Sequence, residues 1–177
     1  MEEFLGEYHA QITGSYIAKQ KKLNQKTVSN YLNRLEKEGI LKSKNQGKNK
    51  LYFLNLHNKE IIKKFIIAAE NLRTLQFYKK HPLVTEIAEK ICPLIKGTAV
   101  IFGSYAKGLE KNDSDIDILV IGQCNHNEIE NISKMFKKEI SLKVYPKFKK
   151  DILTTEAIKD HIIIKNAEKF VGMILNE

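Results

Sequence analysis

Residues 102–120 read FGSYAKGLEKNDSDIDILV. Val100, Ile101 and Phe102 have the character of a buried strand that ends at a sharp Gly103-Ser104 turn. The turn predicts a short helix through Tyr105, Ala106 and Lys107. After a polar loop, Ser114-Asp115-Ile116-Asp117 runs into Ile118-Leu119-Val120-Ile121. Alternation on a strand places Asp115 and Asp117 on one face, with Ile116 and Ile118 on the other. Two neighbouring carboxylates repel, a cost that a divalent cation between them offsets. A Gly-Ser turn leaves backbone N–H groups free at a helix start, where a phosphate is favoured. Ser104 also fits a simple helix N-cap, and the two roles are compatible. A solvated edge strand would carry the same carboxylates, but the flanking VIF and ILVI runs argue for central strands. A phosphate cradle beside a carboxylate pair is what metal-assisted phosphoryl or nucleotidyl transfer needs.

The order Gly-Ser, a second glycine at Gly108, then Ser-Asp-x-Asp on an apolar strand resembles the polymerase-β-type nucleotidyltransferases, and most closely their minimal members. The resemblance covers residues 83–145. It implies a small domain with a mixed sheet. It also implies Mg²⁺ (or Mn²⁺) held by the catalytic pair Asp115 and Asp117, and an NTP bound through Gly103, Ser104, Lys107 and Ser114. Active members usually carry a third carboxylate on the next core strand. Here that strand reads Ile140-Ser141-Leu142-Lys143-Val144, so Ser141 stands at the expected position, with Lys143 on the same face. The nearest acids, Glu139 and Asp151, lie outside that strand.

Charge separates the two halves of the chain. Of its 177 residues, 1–80 hold 16 Lys/Arg against 7 Asp/Glu, whereas 81–177 hold 14 of each. Residues 11–50 alone hold 10 basic and 2 acidic side chains. Solubility would not concentrate charge in this way; a polyanionic partner for the N-terminal half would. No apolar run approaches the ~20 residues of a membrane span. The N-terminus lacks a signal-peptide pattern, and Cys92 and Cys124 have no metal-ligand spacing. These features lead us to expect a cytoplasmic protein with no membrane partner.

The basic segment has its own periodicity. Residues 1–10 suggest a first helix and Ser15–Lys19 a second. Asn24 is a good N-cap for a third, from about Gln25 to Glu38, with Val28, Tyr31, Leu32 and Leu35 on one face and Gly39 at its end. Ile40-Leu41 and Leu51–Leu54 pair as a hairpin around the polar tip Lys44–Lys50. The run SYIAKQKKLNQKTVSNYLNRLEKEGILKSKNQGKNKLYFLN resembles the winged helix-turn-helix of prokaryotic regulators. That resemblance implies double-stranded DNA as partner. The contacts would come from Gln25, Lys26, Ser29, Asn30, Asn33 and Arg34 on the recognition helix and from Lys42, Lys44, Lys48 and Lys50 in the wing. A winged helix used only for protein contacts is the competing reading.

Residues 58–80 predict one long amphipathic helix, its stripe formed by Ile61, Ile62, Phe65, Ile66, Ala69, Leu72, Leu75 and Phe77. So wide a stripe suggests a homodimer. His57, His81, His126 and His161 are scattered and read as surface or loop residues. The chain is therefore expected to be an α/β (α+β) protein: winged helix 1–57, linker helix 58–82 and nucleotidyltransferase-like domain 83–177. Two functions fit. One is an enzyme transferring a nucleotidyl group from NTP to a hydroxyl acceptor. The other is a DNA-binding transcriptional regulator whose second domain is catalytically weak and senses a nucleotide or supports dimerisation. Work with a toxin-like partner protein is compatible with either.

Overall fold

The computed structural model describes residues 2–175. Asn24 starts the central helix of the N-terminal half, α2 (Gln25–Lys37), preceded by α1 (Gly14–Lys21). The Asn24 side-chain oxygen accepts from the backbone N–H groups of Lys26 at 2.9 Å and Thr27 at 3.3 Å. A cap of this kind contributes about 1 kcal/mol. The two helices cross closely. A Cβ on Gly14 would lie 3.3 Å from Leu32 Cδ1, a tighter contact than side chains usually make, so Leu32 would have to shift slightly. The chain leaves α2 through Gly39 at φ +76°. It then enters a hairpin of β2 (Leu41–Gln46) and β3 (Asn49–Leu54), while β1 (Ile12–Thr13) pairs with the other edge of β3. The order β1-β3-β2, all antiparallel, with two helices between β1 and the hairpin, is a winged-helix arrangement.

Two local expectations change here. Residues 2–10 form no α-helix: a 3₁₀ turn, Glu2–Phe4, gives way to turns around Gly6 at φ +84°. Phe4 and Tyr8 are still buried. The hairpin is also longer and tighter than its apolar residues indicate, closing at Gln46↔Asn49 around Gly47-Lys48. Lys44 and Lys50 therefore lie on strands rather than at the tip.

Helix α3 (Lys59–Lys80) continues the chain. Residues up to Ile66 and from Ile67 onward form two compact units. The expected apolar stripe of α3 divides. Ile62, Ile66 and Phe77 are buried, but Ile61, Phe65, Leu72 and Leu75 remain 41–54% exposed. No helix among the described residues is long and apolar enough to cross a membrane.

The second unit continues with α4 (Pro82–Ile91), β4 (Ile95–Phe102), α5 (Gly103–Lys107), β5 (Ile116–Cys124) and α6 (His126–Phe136). It ends with β6 (Ile140–Tyr145), α7 (Ile152–Lys159), β7 (Ile162–Lys165) and α8 (Ala167–Leu175). The sheet order is β6-β5-β4-β7, parallel only between β5 and β6, so the sheet is mixed and the protein is α+β. Ile101, Ile116, Ile118 and Val120 pack with Val84, Ile87, Ile91 and Ile129 in one core, and Ile140, Leu142 and Val144 lie against it. Alternation sends Asp117, Ser141 and Lys143 to the opposite face.

His161 corrects the reading of the histidines as surface residues, because it is fully buried. Its Nδ1 lies 2.7 Å from the Ile158 carbonyl, which can only accept, so Nδ1 carries a proton. Its Nε2 lies 3.2 Å from Oε1 of Glu70, which is itself 1% exposed.

Candidate functional site

The motif glycine and the second aspartate form one unit. Strands β4 and β5 pair Phe102 with Asp117, and the next residue, Gly103, turns into α5 at φ +70°. A Cβ on Gly103 would lie 2.2 Å from Asp117 Oδ2 and 3.1 Å from its Cγ. Only glycine lets the backbone of the turn and the carboxylate approach this closely. No side chain caps the N-terminus of α5, which leaves its first N–H groups open beside Asp117.

Asp115 sits just before β5, whose first ladder bond runs from Ile116 N–H to the Glu139 carbonyl at 2.9 Å. The parallel pairing of β5 and β6 sets Asp117 opposite Ser141 and Leu119 opposite Lys143. The position expected for a third carboxylate is thus filled by a serine in direct register with Asp117. Burial pushes the Asp117 carboxyl above the usual aspartate range; the Ser141 hydroxyl works against this, the Asp115 charge adds to it, and the Lys143 ammonium opposes it. Among the described residues no group of three or more His, Cys, Asp or Glu side chains is placed to hold a metal. Asp151 is used elsewhere: it caps α7, accepting from Thr154 N–H at 2.9 Å and from the Tyr145 hydroxyl at 3.0 Å.

The other expected nucleotide contacts are mixed. Ser104 is half-buried at the start of α5 and Lys107 is exposed at its end. The Ser114 hydroxyl accepts from Lys111 N–H at 2.8 Å, so it closes its own loop. Sequence reasoning missed a group beside the motif loop. The His81 ring lies against Phe77 (4.4 Å) and Tyr105 (5.7 Å), its Nε2 is 3.7 Å from Glu110, and Lys138 stands over the Tyr105 ring at 5.5 Å. Only the aromatic spacing along α3 hinted at it.

On α2, the side chains of Gln25, Lys26, Asn30 and Arg34 are exposed. Thr27, Asn30, Tyr31 and Arg34 line a shallow surface groove. Arg34 donates to Glu38 at 2.9 Å, which raises its pKa further. Ser29 is half-buried beside Gly14. Asn33 accepts from Lys50 at 3.1 Å and from the Tyr52 hydroxyl at 2.8 Å, and Lys50 also pairs with Glu36 at 2.6 Å. Asn33 and Lys50 thus tie the wing to the helix, whereas Lys44 and Lys48 are exposed on the wing.

A family model described as a nucleotidyltransferase domain matches residues 84–172, half of the chain. A second, described as a penicillinase repressor, matches residues 8–90. Comparison with curated proteins finds no match. Among solved structures, one described as a crystal structure of a toxin-antitoxin with AMP-PNP is similar at 14% identity and a TM-score of 0.40. It covers 54% of this chain and 83% of its own.

Proposed function

The chain belongs to the nucleotidyltransferase domain family, and on that premise we propose a DNA-binding regulator that holds a nucleoside triphosphate in its nucleotidyltransferase domain and transfers the nucleotidyl group weakly. The observation that carries this reading is the register of Asp117 with Ser141. The residues fit one divalent ion better than two. Asp115 and Asp117 offer the hard oxygens that Mg²⁺ or Mn²⁺ takes, with triphosphate oxygens filling the remaining positions. The open N–H groups of α5 and the Ser104 hydroxyl would donate to the phosphates, and Lys107 would add charge near them. A bound ion would supply positive charge to the triphosphate oxygens.

Full transferase activity is the second reading, favoured by the close fit of Gly103 against Asp117. In it, an acceptor hydroxyl forms a bond to the α-phosphorus, pyrophosphate leaves, and the hydroxyl proton needs an acceptor. A serine is poor in that role. A label-transfer assay with each radiolabelled NTP separates the readings. Transfer by the native chain is expected to be weak and to rise most when Ser141→Asp is combined with Lys143→Val. Robust native turnover, unchanged by Ser141→Ala, would favour the enzyme.

For the N-terminal module, residues 1–57, the exposed α2 side chains and the wing lysines support binding to duplex DNA. Each neutralised phosphate contributes about −0.9 to the slope of log K against log salt. Replacing Lys44 and Lys48 with Ala should therefore flatten that slope by up to about 1.8 for every DNA sequence tested. Asn30→Ala should instead change sequence preference. Salt-independent affinity in a titration of the full chain would sink this assignment. Residues 58–82 connect this module to the nucleotide module, 83–177. The exposed residues Ile61, Phe65, Ala68, Leu72 and Leu75 repeat at alternating steps of four and three along α3, the spacing of a self-pairing helical seam. We assign the homodimer contact to them; sedimentation of a monomer at high protein concentration would remove it.

A further inference from the structure

Strand β6 is an edge strand, where lysines commonly serve only to block unwanted pairing. Lys143 differs from such a lysine in its position. It lies two residues beyond Ser141 on one face of the strand, and Ser141 is paired with Asp117. Alternation puts it on the same face as Ser141 and Asp117, and its charge partly offsets the effect of burial on that carboxylate. Among the described residues it makes no hydrogen bond or salt bridge of its own. A charged head beside the candidate site, free of other partners, is therefore available to a ligand.

The site's charge balance shows which ligand. A triphosphate is strongly anionic and would enter beside two carboxylates. One divalent ion leaves that set short of positive charge. A second ion has no third carboxylate to hold it, and Lys143 would repel it. A lysine ammonium binds phosphate as a point charge, without needing the fixed geometry of a metal.

We propose that Lys143 takes the place of a second metal ion: its ammonium contacts the triphosphate oxygens, so the nucleotide is held by one divalent ion and one lysine. The proposal rests on the reading that Asp115 and Asp117 bind nucleotide, and deepens it. It explains how a site without the third carboxylate keeps its ligand while being poor at transfer. The serine and the lysine then act as a pair, since restoring the carboxylate alone would place it beside a cation that competes with the second ion.

The test uses the full chain, ATP, GTP, CTP and UTP in turn, and Mn²⁺ as the probe ion. Calorimetry reads nucleotide affinity and electron paramagnetic resonance counts bound Mn²⁺. The native chain is expected to bind one Mn²⁺ per site with nucleotide present. Lys143→Ala should weaken nucleotide binding about tenfold or more, the usual loss for a charge-assisted contact. Lys143→Met, which keeps the aliphatic stem, should weaken it equally, and Lys147→Ala, a control on the loop after β6, should not. Ser141→Asp combined with Lys143→Val should raise the count to two. Nucleotide affinity unchanged in both Lys143 variants, or two ions in the native chain, would overturn the proposal. Failure of the native chain to bind any of the four nucleotides would instead overturn the underlying reading, and Lys143's role with it.

Discussion

Asp117→Asn is expected to abolish metal-dependent binding of nucleoside triphosphate while leaving the chain folded. The substitution keeps shape and removes the charge on the candidate ligand that lies against Gly103. Loss of even a supporting contact around a metal costs roughly 10–100-fold in affinity, so loss of a ligand should exceed that. The same variant should be more stable than the native chain without metal at neutral pH. Burial raises the folded Asp117 pKa above its ordinary value of 3.8. The folded state therefore holds the proton more tightly than the unfolded state, and stability from this group is lost as pH rises through the raised value. At neutral pH the ionised carboxylate is a cost that Asn removes. Below the ordinary value native Asp117 is protonated in both states, and the difference between the two proteins should vanish. Thermal unfolding with chelator across that range checks the sign. A variant less stable than native at neutral pH would contradict the burial argument.

His161→Ala should destabilise the second unit by about 3–5 kcal/mol, the usual cost of breaking a buried polar pair by removing one partner. The His161 ring and the Glu70 carboxyl group lie 3.2 Å apart and both are buried. Removing the histidine takes one partner away from a carboxyl group that is 1% exposed, with Arg73 3.9 Å from its other oxygen. It also removes the ring packed against Phe170 at 4.9 Å. Glu70→Ala should cost less, about 1–3 kcal/mol, because the ring keeps its bond to the Ile158 carbonyl. The double variant should cost less than the sum of the two. Denaturant unfolding of all three variants measures this, and effects that add would show the pair to be uncoupled.

How far the sequence foretold these features depends on the range of the forces involved. The motif was legible because its information is local. A glycine turn, two carboxylates two residues apart and the apolar runs around them all lie between Val100 and Ile121, and the structure joins Gly103 to Asp117 through neighbouring strands. Helix α2 was legible for the same reason, with Asn24 at one end and Gly39 at the other. The N-terminal ten residues were misread because three apolar side chains imitate a helical face while Gly6 adopts a left-handed turn. The wing strands ran further than expected, since Ser43–Gln46 is polar on both faces and carries no alternation. His161 was illegible because its partner lies 91 residues away, on a helix whose stripe appeared wholly apolar. The roles of Asn33 and Lys50 also depend on a contact between α2 and the wing strand β3, which no residue pattern announces.

The nucleotide site is tested most directly by calorimetry of the native full chain with each of the four nucleoside triphosphates, once with Mg²⁺ and once with excess chelator. At least one nucleotide is expected to bind saturably with Mg²⁺ and to lose that binding in chelator. Equal affinity in the two conditions, or no binding of any nucleotide with Mg²⁺, would contradict a nucleotide–metal site at Asp115 and Asp117.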